Sequence, residues 1–306
     1  MTDPRRPLRP PSRRWLVAVA AGGALLLTLL ALLGKLPLVS GLAAAALLAF
    51  APVAVGSLAV GSGLLARPVI GARGTPGLLS LTFDDGPHPE GTPRILELLA
   101  ARGHRATFFV VGRAAEAHPA LLGQIAAAGH ELGNHSHAHA WHLPFARPAR
   151  VAEELRRVQD AIARATGKVP RLFRPPAGAQ SPRLVRGVRL AGLELVAFSA
   201  RGLDHAPGRT ARAAFARLRP ALRPGAILLL HDAPRSGQTH LAAEVLPLLL
   251  DELERLGLRS VPVSELVGLD AETEAATRDA APPPPTAPAA DPARRTACGA
   301  PAAPKR

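Results

Sequence analysis

From Trp15 to Ala66 the chain carries a single charged residue, Lys35. A soluble domain rarely leaves so long a stretch without charge, so this feature divides the chain before any other is considered. Trp15 to Gly34 supplies 20 uncharged residues rich in Leu, Ala and Val, about the number that crosses the hydrocarbon core of a bilayer. Lys35 and Pro37 break the run, and residues 38 to 66 give a second uncharged stretch, long enough to cross with some tilt. The expected arrangement is an N-terminal transmembrane helical hairpin over 15 to 66 that turns at Lys35-Leu36-Pro37. A cleaved signal peptide and a buried soluble hairpin are the alternatives. Arg13 and Arg14 precede the pair and Arg67 and Arg73 follow it, so the positive-inside rule places both ends of a hairpin in the cytoplasm. A single span, or a re-entrant second segment, reverses that side.

The remainder separates by texture. Residues 1 to 14 hold five Arg and four Pro and read as a disordered basic tail. Residues 73 to 267 have the mixed pattern of a soluble domain, and 268 to 306 form a Pro- and Ala-rich tail expected to be disordered. The net charge of +14 comes mostly from Arg scattered along a chain that has no Tyr and no aromatic interleaving. That pattern argues against a nucleic-acid partner and leaves anionic lipid headgroups as a suitable counterpart. The one cysteine, Cys298, lies in the C-terminal tail, so neither an internal disulfide nor a cysteine metal site can be built.

Within the soluble part, short apolar runs alternate with amphipathic stretches. Strands are expected near 78 to 83, 106 to 111, 130 to 133, 171 to 173, 194 to 199, 226 to 231 and 258 to 262. Helices are expected near 92 to 102, 118 to 128, 148 to 166, 181 to 191, 210 to 219 and 240 to 256. Repeated strand then helix argues a parallel α/β barrel or a doubly wound sheet. Seven units, with polar residues gathered just after the strands, favour a barrel with its site at the C-terminal face.

Four segments at expected strand ends carry chemistry. In LTFDDGPHP, Asp84 and Asp85 end an apolar strand, where the backbone can turn both carboxylates into one pocket, one for a metal and one as a base. In GNHSHAHAWH, His135 and His139 are four apart, which on a helix places both imidazoles on one face, with His137 the odd one out. A carboxylate from elsewhere completes a His, His, Asp set that leaves a coordination position open for water. In FRPPAG, Arg174 offers a permanent charge to a carboxylate, and Gly178 lets backbone approach a ligand. In ILLLHD, His231 at a strand end suits general acid work.

Together these segments resemble the polysaccharide deacetylases of carbohydrate esterase family 4, the NodB-homology domain, over residues 76 to 265 or so. The carriers are Thr82 to Gly86, then His135, Ser136 and His139, then Arg174, Pro176 and Gly178, then Leu229 and His231. The resemblance implies a distorted (β/α) barrel of about seven strands, preceded here by the transmembrane hairpin, in a bacterial inner membrane. By that likeness Asp84 matches the general base, and Asp85, His135 and His139 the ligands of a divalent ion, Zn²⁺ first, with Co²⁺, Ni²⁺ or Mn²⁺ as alternatives. His231 matches the general acid, Ser136 a brace of the metal loop, and Arg174 the partner of the base, a role in which Arg105 is a further candidate. The implied activity is metal-dependent removal of N-acetyl groups from amino sugars of a glycan or glycolipid. The alternatives are a deformylase or deacetylase acting on a lipid-linked sugar and a catalytically inactive carbohydrate-binding member.

The chain departs from the family pattern in its fourth motif, which reads RGLDH. Asp204 keeps the second acid and is expected to orient His231, Arg201 replaces the first acid, and His205 replaces an aromatic. Ala177 stands where an aromatic often follows the prolines, and its backbone N–H still suits an oxyanion.

Overall fold

The computed structural model describes residues 5–58, 64–233 and 240–269. Residues 270 to 306 of the expected C-terminal tail, and 59 to 63 of the expected second span, therefore lie outside the described residues.

In chain order the strands are β1 (Arg6–Leu8), β2 (Gly71–Arg73), β3 (Leu78–Asp84), β4 (Ala106–Val110), β5 (Glu131–Asn134), β6 (Leu172–Phe173), β7 (Glu194–Leu195), β8 (Ala200–Arg201), β9 (Ile227–His231) and β10 (Arg259–Ser260). The helices are α1 (Arg14–Leu32), α2 (Leu38–Leu58), α3 (Gly91–Ala101), α4 (Gly112–Ala117), α5 (Pro119–Ala127), α6 (Pro148–Thr166), α7 (Pro182–Leu190), α8 (Ala211–Leu218), α9 (Leu241–Arg255) and α10 (Val263–Val267). Strands run in the order β7-β6-β5-β4-β3-β9-β8, with β10 added to the start of β3. All these pairings are parallel. Because the edge strands β7 and β8 follow one another in sequence, the link between them carries the chain from one edge of the sheet to the other, and the sheet curls into a half-barrel.

The expected strand over 194 to 199 is split for this reason. Val196 N–H still donates to Phe173 O of β6 at 2.8 Å, but Val196 pairs with Val69, and by Ser199 the chain has moved to β9, where Ser199 N–H donates to Ile227 O at 2.7 Å. The segment before β2 fills the gap between the two edges.

Alternation along the strands sorts side chains onto two faces. Leu79, Leu81 and Phe83 of β3, Phe108 of β4, and Leu228 and Leu230 of β9 pack outward beneath α3 and α9, against Ile95, Leu99, Leu246, Leu249 and Leu253. The opposite parity, Thr82 and Asp84 on β3 and Leu229 and His231 on β9, is left for the interior. Both faces being covered explains why β3 and β9 are apolar almost throughout. Gly133 on β5 answers a close approach: a Cβ there would lie 2.5 Å from the Phe109 ring.

α1 and α2 pack against each other with an inverted pattern. Ala20, Ala24, Ala31 and Ala45 are buried, whereas Leu25, Leu29, Leu32, Leu47 and Phe50 project outward. A Cβ on Gly41 would sit 2.7 Å from the Ala31 Cβ, so small residues set the helix spacing, as in membrane helix pairs. By length and composition α1 can cross a membrane over Trp15–Leu32, a test that a signal sequence also passes, while the apolar stretch of α2 covers Leu38–Ala51.

The N-terminal segment differs from the expected disordered tail. Arg6–Leu8 pairs antiparallel with Gly71–Arg73, Arg5 donates to Glu265 O at 2.8 Å, and Arg9 pairs with Glu194 at 2.9 Å. Arg67 Nε donates to Pro10 O at 2.9 Å. Backbone pairing and buried-edge contacts give these residues partners that composition alone does not reveal.

Candidate active site

The C-terminal ends of β3, β5, β6 and β9, with the segment around β8, surround a cleft of about 140 Å³. Its lining includes Asp84, Asp85, His135, His139, Arg174, Ala177, Leu229 and His231. Asp204 sits directly behind His231.

Asp84 closes β3 with its side chain turned inward. Arg174 Nη1 donates to Asp84 Oδ1 at 2.7 Å and to Thr82 Oγ1 at 2.7 Å, and Nη2 donates to Ala197 O at 2.8 Å. The guanidinium lies 4.1 Å above the Phe109 ring. Burial pulls the Arg174 pKa down and Asp84 pushes back, so one buried charge compensates the other.

Asp85 follows with φ at 76°. That left-handed conformation swings its carboxylate to the same side as that of Asp84, as two neighbouring acids at a strand end require to share a cleft. Its Oδ1 lies 3.3 Å from His135 Nε2 and 3.1 Å from His139 Nε2, yet this buried oxygen has no hydrogen-bond partner of acceptable geometry. Burial disfavours the Asp85 carboxylate, but the two imidazoles outweigh it and hold the group well below the ordinary carboxylate range. An orphaned buried oxygen, with two imidazole nitrogens at that spacing, fits a shared cation with a His, His, Asp donor set.

The two histidines reach this point without a helix, contrary to the expectation from their spacing. After β5 the chain turns through Ser136 at φ 65° and His139 at φ 51°. Ser136 Oγ accepts the His139 N–H at 3.1 Å, and Ser136 N–H donates to Asn134 Oδ1 at 2.9 Å. These side-chain bonds compete successfully with helix formation. His135 Nδ1 lies 2.8 Å from the carbonyl of Arg174, so Nδ1 carries the proton and the Nε2 lone pair faces Asp85. His137 turns away, with Nε2 3.0 Å from Glu116 Oε2.

On the other side, His231 Nδ1 lies 3.0 Å from Asp204 Oδ1, and its backbone N–H donates to Asp204 Oδ2 at 2.8 Å. Burial lowers the His231 pKa, but Asp204 outweighs it and the pKa is raised overall. His205 packs edge-on against the His231 ring, at 4.1 Å between centroids. Ala177 has φ 53° in a short 3₁₀ turn over Pro176–Gly178.

Among the described residues, five other than glycine have left-handed φ: Asp85, Ser136, His139, Ala177 and Leu203. All belong to the loops that build this cleft, where such strain is expected to accumulate.

The profile of the family described as polysaccharide deacetylase matches residues 72–196. A chitooligosaccharide deacetylase from Bradyrhizobium is 34% identical over 61% of this chain and 89% of its own length. The chain belongs to the polysaccharide deacetylases of carbohydrate esterase family 4. A peptidoglycan-N-acetylglucosamine deacetylase from Bacillus cereus is 30% identical over 62% of this chain and 88% of its own length. Among solved structures, a family 4 acetyl xylan esterase from Clostridium thermocellum, in complex with a cobalt ion, superposes with a TM-score of 0.58. It is 31% identical, with 63% of this chain and 92% of that chain covered.

All ten site positions expected of a family 4 domain are thus in or directly behind one cleft. Arg105 is not: it immediately precedes β4, at the opposite end of the barrel, and pairs with Glu265 at 2.5 Å. Thr82, Asn134 and Phe109 support the site without any signal of that role in the sequence, although Asn134 stands next to the histidine segment. Asp232, next to His231 in the ILLLHD segment, carries no role in the sequence pattern, yet its fully buried carboxyl is pushed up to about 7, chiefly by burial. Thr92 Oγ1 donates to its Oδ2 at 2.6 Å, and the carboxylate packs on Gly86.

Proposed function

We propose that this chain is a membrane-anchored, metal-dependent N-deacetylase of amino sugars in a glycan or a lipid-linked sugar. The observation that carries the reading is the meeting of three units in one cleft: the Asp84–Arg174 pair, the Asp85, His135 and His139 set, and the Asp204–His231 pair. Relatives described as chitooligosaccharide and peptidoglycan-N-acetylglucosamine deacetylases support an N-acetylglucosamine-containing substrate.

Asp85, His135 and His139 would hold a divalent ion, which would supply Lewis acidity toward the acetamide carbonyl and lower the pKa of water toward neutrality. Zn²⁺ suits two imidazoles and a carboxylate, with Co²⁺, Ni²⁺ and Mn²⁺ as alternatives. Asp84 takes the proton of the attacking water, and Arg174 keeps that carboxylate in position. As the carbonyl carbon becomes tetrahedral, its oxyanion accepts a hydrogen bond from the Ala177 N–H. His231, oriented by Asp204, gives a proton to the departing amine, and acetate and free amino sugar leave. Ser136 braces the histidine loop, and Leu229 lines the floor.

The outward Leu residues of α1 and α2 support a membrane hairpin. Pairing of β1 with β2 brings the two flanks of the hairpin together, which supports both ends lying on one side, and the flanking Arg residues favour the cytoplasmic side. Ala177 and His205, where family members often carry aromatics, leave less surface for stacking sugar rings. That favours a short or lipid-linked acceptor over a long polymer.

Acetate release from N-acetylglucosamine oligomers and from a lipid-linked N-acetyl sugar, by chelated and Zn²⁺-reconstituted protein, tests the reading. Release dependent on Zn²⁺ supports it, and absence of release from both substrates overturns it. A reporter fused after Gly77 tests the side of the membrane.

A further inference from the structure

The two segments that flank the α1–α2 pair clasp each other at the barrel. Arg9 Nη1 donates to Arg67 O at 2.8 Å, and Arg67 Nε donates to Pro10 O at 2.9 Å. At this clasp lies a cleft of about 350 Å³, lined by Arg9, Arg67, Arg189 and Glu194, with Val185 and Val188 of α7 forming part of its apolar wall. It shares no lining residue with the active-site cleft.

The charges in this cleft do not balance. Arg9 Nη1 pairs with Glu194 Oε1 at 2.9 Å, which accounts for the one acid. Arg67 uses only Nε, and both its Nη nitrogens lack a partner among the described residues. Arg189, in the last turn of α7, has no hydrogen-bond or ion-pair partner among the described residues. Two guanidiniums with unused donors thus line one space, and such forks match the oxygens of a phosphate. The apolar wall and the place of the cleft decide between a free ion and a larger molecule. Val185 and Val188 offer surface that a bare ion cannot cover. Arg9 stands six residues before Trp15, where the span begins, about 20 Å of extended chain at most. On the membrane-hairpin reading the cleft therefore lies at the base of the hairpin, beside the headgroup layer, where anionic lipids attract basic side chains.

We propose that Arg67 and Arg189, with Arg9 beside them, bind the phosphodiester of an anionic phospholipid, with Val185 and Val188 against the glycerol and ester part of the same molecule. A zwitterionic lipid brings a quaternary ammonium toward the same arginines and is disfavoured. The bound lipid ties α7 to both flanks of the hairpin. The choice of a lipid over a free phosphate rests on the membrane-hairpin reading, but the anion site itself does not.

The test uses the full chain in a neutral detergent, stripped of lipid and given phosphatidylglycerol, phosphatidylcholine or inorganic phosphate. Native mass spectrometry counts the retained lipid, and thermal unfolding across a lipid titration reads the affinity. Wild type is expected to hold one phosphatidylglycerol, about 10-fold or more tighter than phosphatidylcholine, and to gain no stability from inorganic phosphate at the same concentration. Arg67→Gln and Arg189→Gln are each expected to weaken phosphatidylglycerol about 10-fold, the size of a lost charge-assisted hydrogen bond. Arg189→Gln breaks no contact among the described residues, so it keeps the test valid if Arg67→Gln fails to fold. Arg212→Gln, exposed on α8 and outside the cleft, is expected to change nothing. Equal retention of the two lipids, unchanged affinity in Arg189→Gln, or an equal loss in Arg212→Gln overturns the site. Stabilisation by inorganic phosphate equal to that by phosphatidylglycerol overturns the lipid as its ligand. Flotation with pure phosphatidylcholine vesicles through a high-salt wash tests the hairpin separately. Flotation with no preference for phosphatidylglycerol overturns the site alone, and one retained phosphatidylglycerol without flotation overturns the membrane-hairpin reading alone.

Discussion

Asp84 and His231 are register partners across the β3–β9 pairing. The proposed base and acid thus stand side by side at the ends of two central strands, and sheet hydrogen bonds rather than loop residues set their separation.

Two residues that act as a unit are not additive. Asp84→Asn and His231→Ala are each expected to lower kcat by about 10²–10⁴-fold, and the double variant is expected to fall little further. Initial rates of acetate release on metal-loaded variants check this. Full activity in Asp84→Asn with metal retained would remove the base.

Arg174 is fully buried beside Asp84. Arg174→Met leaves that carboxylate without its partner, and breaking such a pair typically costs about 3–5 kcal/mol. Urea unfolding is expected to show a loss of this order, with Asp84→Asn added to Arg174→Met recovering part of it. Recovery of stability without recovery of activity separates packing from chemistry.

His231 must be protonated to act as an acid, and its pKa is raised in the folded protein by Asp204 against the effect of burial. The alkaline limb of the kcat profile is therefore expected above the ordinary histidine range. Asp204→Asn removes the raising influence and leaves burial, so that limb is expected to move to lower pH. An unmoved limb would place the titrating acid elsewhere.

Asp232 titrates at about 7 in the folded chain against an ordinary 3.8. Folded protein then binds the proton more tightly than unfolded protein, and this contribution to stability declines as pH rises from about 4 to 7. Asn cannot titrate. In chelated protein, the stability of Asp232→Asn relative to wild type is expected to improve across that window by up to about 4 kcal/mol, measured by denaturant midpoints. A constant difference across the window would contradict the assignment.

The parts of the fold written in local pattern were legible in the chain. Apolar runs ending in acid or histidine placed β3 and β9, and amphipathic periodicity placed α6 and α9. The edges were not legible, because pairing of β1 with β2 and the break after Leu195 depend on partners far away in sequence. Spacing named His135 and His139 correctly as neighbours in space, but for a reason the structure replaces: left-handed turns at Ser136 and His139, not a helix, bring them together. Asp232, at the end of the same apolar run as His231, drew no role because nothing local shows that its carboxyl is buried. His205 was noticed only as a missing aromatic, since its contact with His231 comes from the loop after β8.

The proposed chemistry depends on one divalent ion at the Asp85, His135 and His139 set. A crystal of chelated protein given less than one equivalent of Zn²⁺, with anomalous difference density measured at the zinc edge, tests this directly. The expected result is a single peak about 2.0–2.2 Å from Asp85, His135 Nε2 and His139 Nε2. Density absent from that point, or found first at another site, would contradict it.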